Sequence, residues 1–110
     1  YTLADLFLYP SRLEAFPIPI TEALACGTPI VTSDANGMKE LAGDAAVLVD
    51  PEQPAAIAEA AERVLVDRAL HRQLSARSLA RAACFSWQRC AQETLAILEE
   101  IGATANHGVR

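Results

Sequence analysis

The chain has 110 residues, 52% of them apolar, and a formal net charge of −5. That length and composition describe one globular domain able to bury a core, and exclude a disordered chain. No basic patch offers itself to nucleic acid, and no apolar run nears the ~20 residues of a membrane span.

The first predicted element is a buried strand near residues 5–9, an apolar run through Leu6–Tyr9 that Pro10 stops. A loop, Ser11 to Ile18, follows. A helix is predicted to start at Pro19, where a missing N–H is tolerated, which places Glu22 in the first turn beside the positive end of the helix dipole. Gly27 is its natural stop, with Pro29 beyond. A second strand is predicted over 29–33. Asn36-Gly37 then reads as a turn, "MKELA" as a short helical turn between Gly37 and Gly43, and 46–49 as a third strand ended by Asp50-Pro51.

The second half is predicted helical. Pro54 opens a helix with apolar positions Ile57, Ala58, Ala61, Val64 and Leu65. Residues 69–84 form another, with a weaker stripe through Leu70, Leu74 and Leu79. Ser86 caps a third, whose one-sided stripe of Trp87, Cys90, Ala91, Thr94, Leu95, Leu98 and Ile101 is expected to pack, with Gly102 ending it. Residues 1–102 are thus expected to form the domain and 103–110 a disordered tail. Alternating strands and helices predict an α/β fold, a short parallel sheet with right-handed crossovers and flanking helices. In such sheets a ligand sits outside the carboxyl ends of the strands, where the Ser11–Ile18 loop and the Thr32–Gly37 segment fall.

Residues 1–50 carry seven acids against two bases, Arg12 and Lys39, and residues 51–110 seven of each. The three cysteines, Cys26, Cys84 and Cys90, show no CxxC spacing. An odd count without that spacing argues against a disulfide framework and against zinc. They are expected to be reduced and mostly buried, consistent with cytoplasm. Trp87 is expected to serve packing, and His71 and His107 to be solvated. No G-x-G-x-x-G occurs, which disfavours a dinucleotide-dependent oxidoreductase. No cofactor or metal is expected.

The stretch "EAFPIPITEALACGTPIVTSD" sets Glu14 and Glu22 on either side of a proline-stiffened loop. Pro17 and Pro19 have no N–H, so the free donors near the helix start are Phe16, Ile18, Ile20 and Thr21. Amides at a helix N-terminus form an anion site. Ionised carboxylates only accept hydrogen bonds, so Glu14 and Glu22 suit sugar hydroxyls and not the anion itself. The combination points to a phosphate flanked by sugars, as in a nucleotide sugar.

The run "ADLFLYPSRLEAFPIPITEALACGTPIVTSDANGMKELAGDAAVLVDP", with "FSWQRCAQETL" after it, resembles the C-terminal domain of the family 4 (group 1) retaining glycosyltransferases, which have the GT-B fold. Two glutamates with seven residues between them are that family's signature, matched by Glu14 and Glu22. The resemblance covers roughly residues 3–100. It implies a partial Rossmann-like domain, the last quarter to third of an enzyme whose N-terminal acceptor-binding domain is missing. It implies that Glu14 accepts from a ring hydroxyl of the donor hexose near the reacting carbon. The Phe16 and Ile18 amides would approach sugar and phosphates, the Ile20 and Thr21 amides the diphosphate, and Glu22 the ribose. No bound metal is implied. Ala15 and Pro17 stand where the family often has Gly; Ala15 narrows the backbone choices and Pro17 removes a donor. A basic pair that clamps the diphosphate in the family lies upstream and has no counterpart here. The expected location is cytoplasmic, with the missing domain able to reach the inner membrane face. The competing reading is a non-catalytic nucleotide-binding or interaction module of the same fold.

Overall fold

Short apolar runs punctuated by proline and glycine fold as strands here because both faces of the sheet are covered. The computed structural model describes residues 1–105. Its elements are β1 (Phe7–Tyr9), α1 (Ile18–Ala25), β2 (Ile30–Ser33), α2 (Asn36–Ala42), a 3-10 turn (Gly43–Ala45), β3 (Ala46–Val49), α3 (Pro54–Val66), α4 (Arg68–Ala82) and α5 (Trp87–Ala105). The sheet is parallel throughout, in the order β1-β2-β3, as the alternation predicts. Phe7 lies opposite Ile30 and Ile30 opposite Ala46, so the three strands end together near Tyr9, Ser33 and Val49.

Alternate residues of the strands enter opposite layers. Ile30, with Phe7, Tyr9 and Ala46, faces Ile20, Ala23 and Leu24 of α1 and Met38, Leu41 and Ala42 of α2. Val31 and Val49, with Leu6 and Val47, face Ala60 and Val64 of α3 and Leu74 of α4. Ile20, Leu24, Ile30, Val31 and Val64 are fully buried, each contributing about 1.5–3 kcal/mol of apolar transfer. The C-terminal part of α4 crosses to the amino ends of the strands. There Ser78 Oγ donates to the Thr28 carbonyl (3.2 Å), and Arg81 donates to the carbonyls of Leu41 (2.9 Å) and Glu40 (2.7 Å) at the end of α2. That leaves the carboxyl edge of the sheet as the open one.

Caps decide the helix ends. Gly27, at φ +67°, closes α1 with a bond from its amide to Leu24 O (3.0 Å) and one from Thr28 N to Ala23 O (3.1 Å), the paired pattern of a glycine-terminated helix. Asp67 caps α4 by accepting from the amides of Ala69 (2.9 Å) and Leu70 (3.0 Å). Ser86 caps α5 as expected, accepting from the Arg89 amide at 3.3 Å.

Four expectations are corrected. Helix α1 begins at Ile18, one residue before Pro19, and its first turn holds no acid, so Glu22 lies beyond it. Asn36-Gly37 does not form a separate turn but opens α2, because the extended Ala35 before it already redirects the chain. Helix α5 runs through Gly102 to Ala105; a single helical glycine costs only about 1 kcal/mol against alanine and does not by itself stop a helix. The rest of the expected tail, including His107, lies outside the described residues. Finally, the α5 stripe and all three cysteines are exposed, with Trp87 at 76%, Leu98 at 61% and Ile101 at 60%. Helix α5 projects from the body, and the radius of gyration of 18.1 Å exceeds the ~13 Å of a compact domain of this length.

Candidate functional site

The carboxyl ends of β1 and β2 are stitched together by two buried hydroxyls. Thr32 Oγ1 donates to the Tyr9 carbonyl at 2.7 Å, and Ser33 Oγ donates to the Ser11 carbonyl. Both side chains are fully buried, so these bonds operate away from water and hold the chain as it leaves β1. Three residues after Ser11 the loop turns back. The Tyr9 hydroxyl donates to Glu14 Oε1 at 2.8 Å, and the Ser11 hydroxyl donates to the same oxygen at 2.9 Å. Glu14 is half-buried. The Tyr9 phenol is pushed above its ordinary value, first by this bond to Glu14 and then by burial. Its ring stacks on Phe7, with centroids 5.6 Å apart and planes 15° from parallel.

The loop continues into α1. Phe16 is exposed, Pro17 is fully buried and precedes the helix, and Ile18 and Pro19 open it. The Ile18 amide donates to the Phe16 carbonyl (2.9 Å) and the Ile20 amide to the Pro17 carbonyl (3.0 Å). Two of the four amides expected to face a ligand are thus engaged locally. Such bonds at helix starts are readily shared with a second acceptor. Thr21 turns its hydroxyl onto the Ile18 carbonyl at 2.7 Å. Glu22 is exposed, and its Oε2 accepts from the Tyr1 hydroxyl at 2.9 Å, which raises the Tyr1 phenol above its ordinary value. Glu14, Phe16, Ile18, Ile20 and Thr21 therefore share one loop–helix junction at the carboxyl edge, with Glu22 one turn further on.

Beside this junction, α2 approaches closely. A Cβ on Gly37 would meet the carbonyl oxygens of Ala15 and Glu14 and Cδ of Pro17 at 3.0–3.3 Å, so glycine is what lets the two segments touch. Both bases of residues 1–50 are paired. Arg12 grips Glu52 with two bonds (2.7 and 3.0 Å), and Lys39 Nζ lies 2.8 Å from an Asp34 oxygen. All four side chains are more than half exposed. The edge is acidic at Glu14 and Glu22, and neither Arg12 nor Lys39 is unpaired there. No group of three or more metal-ligating side chains occurs among the described residues, and no helix there is long and apolar enough to cross a membrane.

Sequence reasoning missed Tyr9, Ser11, Thr32 and Ser33. Ser11 lies three residues before Glu14, a spacing at which a loop hydroxyl reaches a carboxylate, so that signal was available. The roles of Tyr9, Thr32 and Ser33 depend on strand register and leave no local trace.

Residues 1–81 match the family model described as glycosyl transferases group 1. The chain is 39% identical over 95 residues to O-antigen chain mannosyltransferase B of Escherichia coli, a match covering 86% of this chain and 25% of that protein. It is 36% identical over 112 residues to D-inositol 3-phosphate glycosyltransferase of Salinispora tropica, covering 100% of this chain and 23% of that one. Among solved structures, sucrose-phosphate synthase from Thermosynechococcus elongatus superposes with a TM-score of 0.84 at 30% identity, over 92% of this chain and 26% of that one. The chain spans about a quarter of the length of these proteins.

Proposed function

The chain belongs to the group 1 glycosyltransferases, and from that premise we propose that it forms the donor-binding part of a longer enzyme that moves a hexose from a nucleoside diphosphate sugar to an acceptor, with retention at the anomeric carbon. The observation that carries this reading is the junction itself. A half-buried carboxylate and a helix N-terminus share one loop at the carboxyl edge of a parallel sheet.

In this reading Glu14 accepts a hydrogen bond from a donor-sugar hydroxyl beside the reacting carbon. The amides of Phe16, Ile18, Ile20 and Thr21 face sugar and diphosphate across the start of α1, with the Ile18 and Ile20 bonds shared or released as the anion arrives. Glu22 takes the ribose hydroxyls in exchange for Tyr1. The cations that balance the departing diphosphate, and the acceptor site, come from outside this chain. Sugar transfer is common to the names of the matched relatives, whereas their acceptors differ. Free thiols on an exposed surface fit a reducing compartment such as the cytoplasm.

The test is a panel of nucleotide sugars titrated into the full-length enzyme, followed by two variants. A charged hydrogen bond is worth about 1.5–3 kcal/mol, so Glu22→Gln is expected to weaken nucleotide binding by roughly 10- to 150-fold. Glu14→Gln is expected to lower turnover more than nucleotide affinity. Equal losses of affinity in both variants would contradict the division of roles. A full-length protein that binds nucleotide sugars and transfers none would favour the non-catalytic module.

A further inference from the structure

We infer that Tyr9 and Ser11 are positioning residues that hold Glu14 for the donor sugar, by occupying one of its oxygens and leaving the other to the ligand. The inference rests on the reading of Glu14 given above and extends it to residues that the glutamate pair does not include. Both hydroxyls converge on Oε1, at 2.8 and 2.9 Å, and neither reaches Oε2. A carboxylate oxygen has two lone pairs, so two donors fill Oε1. An incoming sugar hydroxyl then finds its place on Oε2 alone. A glutamate otherwise has several rotamers, and a reacting group displaced by ~1 Å loses on the order of 100-fold in rate.

The two hydroxyls are themselves held. Tyr9 is the last residue of β1, its ring lies on Phe7, and its carbonyl accepts from fully buried Thr32. The Ser11 carbonyl accepts from fully buried Ser33. The chain Ser33–Ser11–Glu14 thus transmits the β1–β2 register to the carboxylate, with rigid sheet at one end and the site at the other. Neither Tyr9 nor Ser11 needs to touch the ligand to act.

The experiment uses the full-length glycosyltransferase that carries this segment, with Tyr9→Phe, Ser11→Ala and Glu14→Gln made separately. Turnover of the donor identified by the panel is measured, together with calorimetric affinity for UDP, GDP and ADP and with the melting temperature. Tyr9→Phe and Ser11→Ala are each expected to lower kcat roughly 10-fold while affinity for the nucleoside diphosphate that binds stays within about two-fold, because each removes one hydrogen bond to a charged group that faces the sugar. Combining them is expected to cost less than the product of the single losses, since both act through one carboxylate. Wild-type kcat in both single variants, with Glu14→Gln slow, overturns the positioning inference and leaves the reading of Glu14 standing. A fall in kcat matched by an equal fall in nucleoside diphosphate affinity overturns it too, as the sign of a merely structural role. Full activity of Glu14→Gln overturns both.

Discussion

A Cβ placed on Gly37 would stand 3.0 Å from the carbonyl oxygen of Ala15. Helix α2 therefore leans directly on the backbone of the loop that carries Glu14, and a single methyl group tests the contact. Gly37→Ala gains about 1 kcal/mol of helix propensity and loses about 1–3 kcal/mol by overpacking against backbone, so net stability is expected to move little. The loop is expected to shift by a few tenths of an ångström, with turnover of the full-length enzyme falling about 10-fold. Unchanged turnover at unchanged melting temperature would show that the loop adapts without consequence.

Gly27 behaves differently because its backbone is left-handed, at φ +67°, and a Cβ there would lie 3.1 Å from Leu79 Cγ. Gly27→Ala is expected to lose about 1–2 kcal/mol from the backbone alone, with the Leu79 clash added. Leu79→Ala in the same chain removes the clash and leaves the backbone strain. Denaturant unfolding of the two singles and the double should therefore give a coupling energy of about 0.5–3 kcal/mol. Strict additivity would mean that Leu79 swings aside freely.

The two tyrosines of the chain give a pH signature. Hydrogen bonds to Glu14 and Glu22 raise the phenols of Tyr9 and Tyr1. Each phenol protonates more readily folded than unfolded, so its stabilising contribution is fully present below the unfolded value of ~10 and fades as pH rises through the higher folded value. Titration of phenolate absorbance is expected to place both midpoints above ~10, with Glu14→Gln returning Tyr9 toward the ordinary value. Two midpoints at or below the ordinary value would mean that neither hydroxyl–carboxylate bond persists in solution.

Arg81 fastens α4 to the end of α2 by donating to two carbonyls, and its guanidinium lies 5.3 Å from the Phe85 ring centroid. Lysine has the charge but not the planar fork. Arg81→Lys is expected to destabilise the chain by about 1–3 kcal/mol, read from the denaturation midpoint. A midpoint equal to that of the native sequence would reduce Arg81 to a solvated surface charge.

Taken alone, the 110-residue chain is expected to transfer no sugar and to bind nucleoside diphosphates no better than millimolar, about −4 kcal/mol. Arg12 and Lys39, the bases of its acidic half, are already paired with Glu52 and Asp34. Saturation-transfer resonance on the isolated chain measures this directly. Micromolar affinity would show that the helix-terminus amides suffice without added cations.

The sequence by itself determined the parallel α/β fold and the sheet edge at which the Glu14 loop lies. Short apolar runs ending at Pro10, Asp34 and Asp50, separated by helix-forming stretches, admit little else, and the carboxyl edge of such a sheet follows from connectivity. Glu14 and Glu22 were legible because their spacing around Pro17 and Pro19 is local. Three things were decided only in the tertiary structure. The Tyr9 hydroxyl's grip on Glu14 depends on where β1 ends, and the anchoring of Ser11 depends on Ser33, 22 residues away, so both are matters of register. The close approach at Gly37 depends on helix α2 meeting the Glu14 loop, which no periodicity records. The fate of the α5 stripe was open because amphipathicity states which face of a helix favours burial, and only the folded body decides whether an apolar surface stands opposite it.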